Sequence, residues 1–72
     1  MRTIKIYSEY IKLDSALKLA GLCETGGEAK LHVSSGEVSV NGIVALERGK
    51  KLRPGDSVAF GGSAFTIAGA SN

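Results

Sequence analysis

Arg48, Lys50, Lys51 and Arg53 put four cations into six residues. A local cluster of that kind suits an anion. The whole chain carries nine basic and seven acidic residues, a net charge of only +2. Outside the cluster five basic residues face seven acidic ones, so the positive charge is localised. The plain reading is a solvated loop that aids solubility. Leu46 and Leu52 flank the run and are expected to anchor it to the core, which favours a fixed patch. Lys12, Lys18 and Lys30 come from predicted helices, and a small fold brings some of them alongside.

Thr25-Gly26-Gly27-Glu28 is a second candidate. Thr25 and Glu28 have capping-box spacing, so each can satisfy an orphan amide of a helix start. Gly26 and Gly27 weaken a helix. They leave two readings open: a plain tight turn, or close approach of a phosphate to bare helix amides. They match neither P-loop nor dinucleotide fingerprints. Glu28 opposes an anion there unless the capping box ties it up.

Other chemistry finds little support. His32 and Cys23 are the only residues of their types. A zinc site needs four ligands, mostly of these types. His32 lies three residues after Ala29 and reads as a packing or surface histidine. Cys23 reads as a small apolar residue and excludes an internal disulfide. Nothing sets a serine on an exposed nucleophile turn. Tyr7 and Tyr10 offer stacking faces, although half-buried packing is expected for at least one.

The elements that must position these residues follow from periodicity. Thr3 to Tyr7 alternates as a strand, with Ile4 and Ile6 on one face. Leu13, Ala16, Leu17 and Ala20 form the stripe of an amphipathic helix, with Asp14 at its start and Gly21 at its end. A second helix is predicted over 26–34, with Ala29 and Val33 inward and Gly36 as its stop. Val38 and Val40 alternate into Asn41-Gly42, a strong hairpin signal. Pro54-Gly55 suits the centre of a type II turn. Val58, Phe60, Phe65 and Ile67 around Gly61-Gly62 predict a closing hairpin, with fraying from Gly69 to Asn72. The Ala/Gly-rich end reads as an ordinary hairpin.

Seventy-two residues make one small domain with a thin core and little room for a deep cleft. No apolar run approaches the ~20 residues of a membrane span, and the first ten residues lack a signal-peptide core. We therefore expect a complete or nearly complete cytoplasmic chain without a membrane segment.

Taken together, Lys12-Leu13-Asp14, Leu17, Ala20-Gly21-Leu22, Thr25, Glu28-Ala29-Lys30, Gly36, Val38, Val40-Asn41-Gly42 and Arg53-Pro54-Gly55-Asp56 resemble the RNA-binding domain named after ribosomal small-subunit protein S-four, also called the αL motif. The resemblance spans about residues 12–60. Gly-Gly-Glu-Ala-Lys with Lys-Lys-Leu-Arg-Pro-Gly-Asp is similar to the small stand-alone bacterial members, the YaaA/YbcJ-like group. It implies two short helices packed on a small antiparallel sheet and a surface at the second helix's start that contacts structured RNA. Lys12, Thr25, Gly26, Lys30 and Asn41 would lie on that surface. Many members carry arginine directly after the Ser/Thr, where this chain has Gly26. Backbone amides of Gly26 and Gly27 would replace that cation, or contacts would move to Arg48, Lys50, Lys51 and Arg53.

The expectation is one α+β domain over 1–72, with the two helices on an antiparallel sheet, an N-terminal strand and a C-terminal hairpin. It is a non-enzymatic, monomeric protein without cofactor or metal that grips structured RNA, ribosomal RNA being one candidate, through backbone phosphates. The expected contacts are Lys12, Lys18, Thr25, Gly26, Gly27, Lys30, Asn41, Arg48, Lys50, Lys51 and Arg53. The alternative is a protein-interaction or accessory module acting with the ribosome, the replication machinery or an RNA-modifying enzyme.

Overall fold

The Leu13–Ala20 stripe and the Ala29/Val33 pair need an apolar sheet to cover, and two valine-rich strands supply it. In the computed structural model, which describes residues 2–70, the element order is β1 (Arg2–Ile6), β2 (Ile11–Lys12), α1 (Leu13–Leu19), α2 (Gly26–Ser34), β3 (Val38–Val40), β4 (Ile43–Val44), β5 (Lys51–Leu52), β6 (Ser57–Phe60) and β7 (Ser63–Gly69). Five strands form one sheet in the order β1-β7-β6-β3-β4, and β2 and β5 form a separate two-stranded ladder. Val40 pairs with Val58 and Val58 with Phe65, so one row of apolar side chains crosses three strands. Against it pack Leu13, Ala16, Leu17 and Ala20 of the first helical region and Ala29 and Val33 of α2, all fully buried.

Both helix ends are stopped as their glycines predict. Gly21 and Gly36 adopt φ of 76° and 79°. At α2 the Gly36 amide donates to Val33 and the Glu37 amide to His32, the two bonds of a Schellman motif. The β3–β4 turn has Asn41 at φ 52° and Gly42 at φ 83°, both left-handed as a type I′ hairpin requires. Gly55 at φ 102° completes the Pro54-Gly55 turn, closed by the Asp56 amide donating to the Arg53 carbonyl at 3.0 Å.

One expectation is refined and two need correction. The sheet is mixed: β3, β4, β6 and β7 are antiparallel, but β1 runs parallel to β7, with Ile4 opposite Ile67. Alternation identifies a strand but carries no information about the direction of its partner. The end of the chain is tied further than expected. β7 runs to Gly69, and the Ala70 amide donates to Ile6 at 2.8 Å; the remainder of the expected fraying lies outside the described residues. Leu52 is fully buried, but Leu46 is 64% exposed and anchors nothing.

Candidate functional site

The basic run is held at two places. Leu52 enters the core, and β5 pairs antiparallel with β2, setting Ile11 opposite Leu52 and Lys12 opposite Lys51. Side chains alternate across a strand. Ile11 and Leu52 therefore face the core, and Lys12 and Lys51 face outward. One further step of the same register puts Tyr10 opposite Arg53 on that outer face. The Lys51 Nζ lies 4.9 Å from the Tyr10 ring centroid and the Arg53 guanidinium carbon 5.9 Å from it.

The loop before β5 also meets α1. The Leu13 amide donates to the Lys50 carbonyl at 2.9 Å, and the Asp14 amide to the Arg48 carbonyl at 3.0 Å. These carbonyls do what a capping side chain does elsewhere, because Lys12 at the N-cap makes no side-chain cap. Arg48 and Lys50 are thereby fixed at the backbone beside Lys12. The start of α1 is occupied by the chain itself.

The result is a cationic face. Lys12, Lys51 and Arg53 project from one side of the ladder, with Arg48 and Lys50 next to it. Like charges directly opposite each other destabilise a strand pair. Among the described residues the one carboxylate within 4.0 Å of a basic group is that of Glu37, 3.1 Å from His32 Nδ1, so no carboxylate bridges any of these five cations. The Asp56 carboxylate feels the charges of Lys50 and Arg53 without bridging them. This two-residue ladder escaped the sequence reading because it is too short for a periodic signal. The alternations Tyr10-Ile11-Lys12 and Lys51-Leu52-Arg53 were the available sign.

The start of α2 is a separate place. Thr25 Oγ1 accepts from the Glu28 amide at 3.0 Å, half of the expected capping box. The other half is displaced: the Glu28 carboxylate accepts from the Glu24 amide at 2.6 Å, one residue before the cap. Gly26 and Gly27 have no left-handed φ, so a tight turn does not require them. A Cβ at Gly26 would meet nothing within 4 Å, and one at Gly27 only Thr25 Oγ1 at 3.9 Å. Neither backbone conformation nor packing calls for glycine here. What the two residues provide is bare backbone, close to the Glu28 carboxylate that the Glu24 amide holds.

The other expected residues are dispersed. Lys18 and Lys30 are exposed on α1 and α2. Lys18 sits in the last turn of α1, roughly 7 Å of helix rise from the end that carries the ladder. Asn41 is committed to the scaffold. Its Nδ2 donates to Asp56 at 3.1 Å, its Oδ1 accepts from the Ser57 amide at 2.9 Å, and its own amide donates to the Ser57 carbonyl at 2.8 Å. The Asp56 carboxylate also accepts from the Arg53 amide at 2.9 Å. Those two hydrogen bonds, the backbone one first, hold the Asp56 carboxyl below its ordinary pKa.

Cys23 is buried, and burial first, then the charge of Glu28, pushes its thiol pKa up. A protonated thiol is a poor nucleophile. His32 is half-buried and stacks at a tilt on Phe60, ring centroids 4.8 Å apart. Among the described residues no three His, Cys, Asp or Glu side chains gather as a metal cluster, and no helix is long and apolar enough to cross a membrane.

The S4 domain family model matches residues 4–68. This chain belongs to the S4 domain family. It is 44% identical over 59 residues to the probable ribosome maturation protein RlbA of Bacillus subtilis (strain 168), covering 82% of this chain and 83% of that one. It is 33% identical over 58 residues to YbcJ of Escherichia coli (strain K12), covering 81% and 83%. The solution structure of YbcJ superposes with a TM-score of 0.73 at 30% identity, over 94% of this chain and 87% of that one. That structure is described as revealing an αL motif involved in RNA binding.

Proposed function

We propose that this S4-domain chain binds structured RNA without catalysis and that the outer face of the β2–β5 ladder is its principal grip. The observation that carries the reading is the cross-strand pair Lys12–Lys51 with Arg53 beside it and no bridging carboxylate. A fold that sets lysines opposite one another loses stability unless an anion arrives to lie across them. Closely spaced phosphates on an RNA backbone supply such an anion. YbcJ's motif is described as involved in RNA binding and RlbA as a probable ribosome maturation protein. Both support RNA as the ligand, and the second makes ribosomal RNA the first target to test.

Arg48 and Lys50 extend the grip from the loop that caps α1. Thr25, Gly26 and Gly27 form a second contact, where bare amides meet a phosphate. Lys18 and Lys30 add charge from the helices, and Asn41 acts mainly by holding the hairpin. Contacts of this kind read shape and backbone more than sequence. The protein works as a cytoplasmic monomer on this reading.

Salt titration is the test. Binding through Z phosphates gives a slope of log affinity against log salt of roughly −0.7Z to −0.9Z. A steep slope, lost with the double variant Lys50→Glu/Lys51→Glu while the fold is retained, supports the reading. A flat slope, or no binding to structured RNA at low salt, defeats it.

One observation favours a second reading, a module that docks on a protein. Ile43, Val44 and Leu46 are 73%, 56% and 64% exposed and border a shallow groove that Lys50 also lines. Exposed apolar side chains gathered on an edge strand and the loop after it mark interaction surfaces. Under that reading Leu46→Ser and Ile43→Ser would remove co-purifying ribosomal or RNA-modifying proteins and leave RNA affinity unchanged.

A further inference from the structure

Tyr10 lies just outside β2 and outside the expected RNA contacts, yet two of the proposed phosphate-binding cations converge on its ring. We infer that Tyr10 is a positioning residue: its ring holds Lys51 and Arg53 in the arrangement that receives adjacent phosphates. The inference rests on the RNA-binding reading above.

The geometry gives the reason. Lys51 on β5 and Arg53 just past its end are two residues apart in extended chain, so they project on the same side and repel one another. Free in solvent, each long side chain would spread away from the other. The electron-rich ring face of Tyr10 attracts both, with Lys51 Nζ at 4.9 Å and the Arg53 guanidinium carbon at 5.9 Å, within cation–π range. Carried one step beyond the ladder, the register accounts for both contacts: it sets Arg53 across from Tyr10 and makes Lys51 the diagonal neighbour, at distances that an aromatic side chain spans. Tyr10 itself is half-buried, whereas Tyr7 is 88% exposed. A half-buried ring is a stable platform. Immobilising a long side chain on binding carries an entropic cost. A ring that already holds two of them lowers that cost before RNA arrives.

Two measurements on the full chain test this. The first needs no RNA. The side-chain resonances next to the Lys51 ammonium and the Arg53 guanidinium should show ring-current shifts in the wild type and in Tyr10→Phe, and lose them in Tyr10→Leu. Absence of those shifts in the wild type overturns the inference and leaves the RNA reading standing. The second uses a bulged RNA hairpin at low salt. Tyr10→Phe should bind as the wild type does, and Tyr10→Leu about three- to tenfold more weakly, with the fold retained. In a Lys51→Ala/Arg53→Ala background Tyr10→Leu should change affinity less than about twofold. The same loss in that background would mean that the ring touches RNA directly, which overturns positioning. If Lys51→Ala/Arg53→Ala binds like the wild type, the proposed RNA face fails, and with it the role of Tyr10 there.

Discussion

Asn41 and Asp56, one on each of two turns fifteen residues apart, are joined side chain to side chain at 3.1 Å. The bond ties the Asn41-Gly42 hairpin to the Pro54-Gly55 turn that follows β5. The Asp56 carboxylate also accepts from the Arg53 amide at 2.9 Å, so the same group fixes the backbone that carries a proposed phosphate contact. Asp56 thus connects the hairpin to the cationic face.

The first prediction is acid sensitivity. The Asp56 carboxyl is held below the ordinary aspartate pKa of ~3.9 by the Arg53 amide and the Asn41 side chain. A lowered folded-state pKa contributes stability that is fully present above the unfolded value and is lost as pH falls through the folded one. Melting should therefore be insensitive to this group between about pH 5 and 8 and should weaken below about pH 4. Asp56→Ala should cost about 1–2 kcal/mol at neutral pH, and the gap to wild type should narrow at pH 3. Denaturant midpoints at both pH values measure it.

Lys12→Gln should separate stability from binding. Removing one of two facing charges leaves the domain as stable or more stable by a few tenths of a kcal/mol, ~0.2–0.5. RNA affinity should fall, and the salt slope should shrink by roughly 0.7–0.9, the contribution of one phosphate. Thermal melts paired with salt titrations give both quantities; an unchanged slope would take Lys12 off the interface.

Gly26 decides whether the α2 start takes part. Space for a side chain is open there, so Gly26→Ala should stabilise the domain by up to about 1 kcal/mol. If a phosphate approaches the bare backbone, the same change lowers RNA affinity. Gly26→Arg restores the cation that many family members are expected to carry and should raise affinity. Equal binding by glycine, alanine and arginine forms would exclude this helix start from the interface.

The two leucines flanking the basic run should behave oppositely. Leu52 is fully buried, and Leu52→Ala should cost about 2–4 kcal/mol, releasing β5 from β2. Leu46 is mostly exposed, and Leu46→Ala should change stability by less than about 0.5 kcal/mol. Chemical denaturation of both variants settles the comparison.

Where a signal is local, the sequence announced it. Thr25 caps a helix because its hydroxyl and the Glu28 amide are three residues apart. Gly36 and Gly42 mark left-handed positions because other residues resist them. The core faces of α1, α2, β3, β6 and β7 followed from period alone. Leu46 misled because hydrophobicity says that a side chain gains from burial, not that a surface is available to bury it. The second half of the capping box went to Glu24 because a carboxylate can reach either of two neighbouring amides, and spacing does not choose between them.

The sequence by itself determined the α+β content, the turns, the helix ends and the presence of four clustered cations. Tertiary structure decided what those cations face. Pairing β2 with β5 is a contact between residues some forty positions apart, and each strand is two residues long. Nothing in either stretch alone encodes the other as partner. Closure of α1 and Leu52 onto a common core brings them together, and the pleat then sorts Tyr10, Lys12, Lys51 and Arg53 to the outside. The parallel pairing of β1 with β7 has the same origin, since Arg2 lies opposite Phe65 at the far end of the sequence and no local signal sets the direction of either strand.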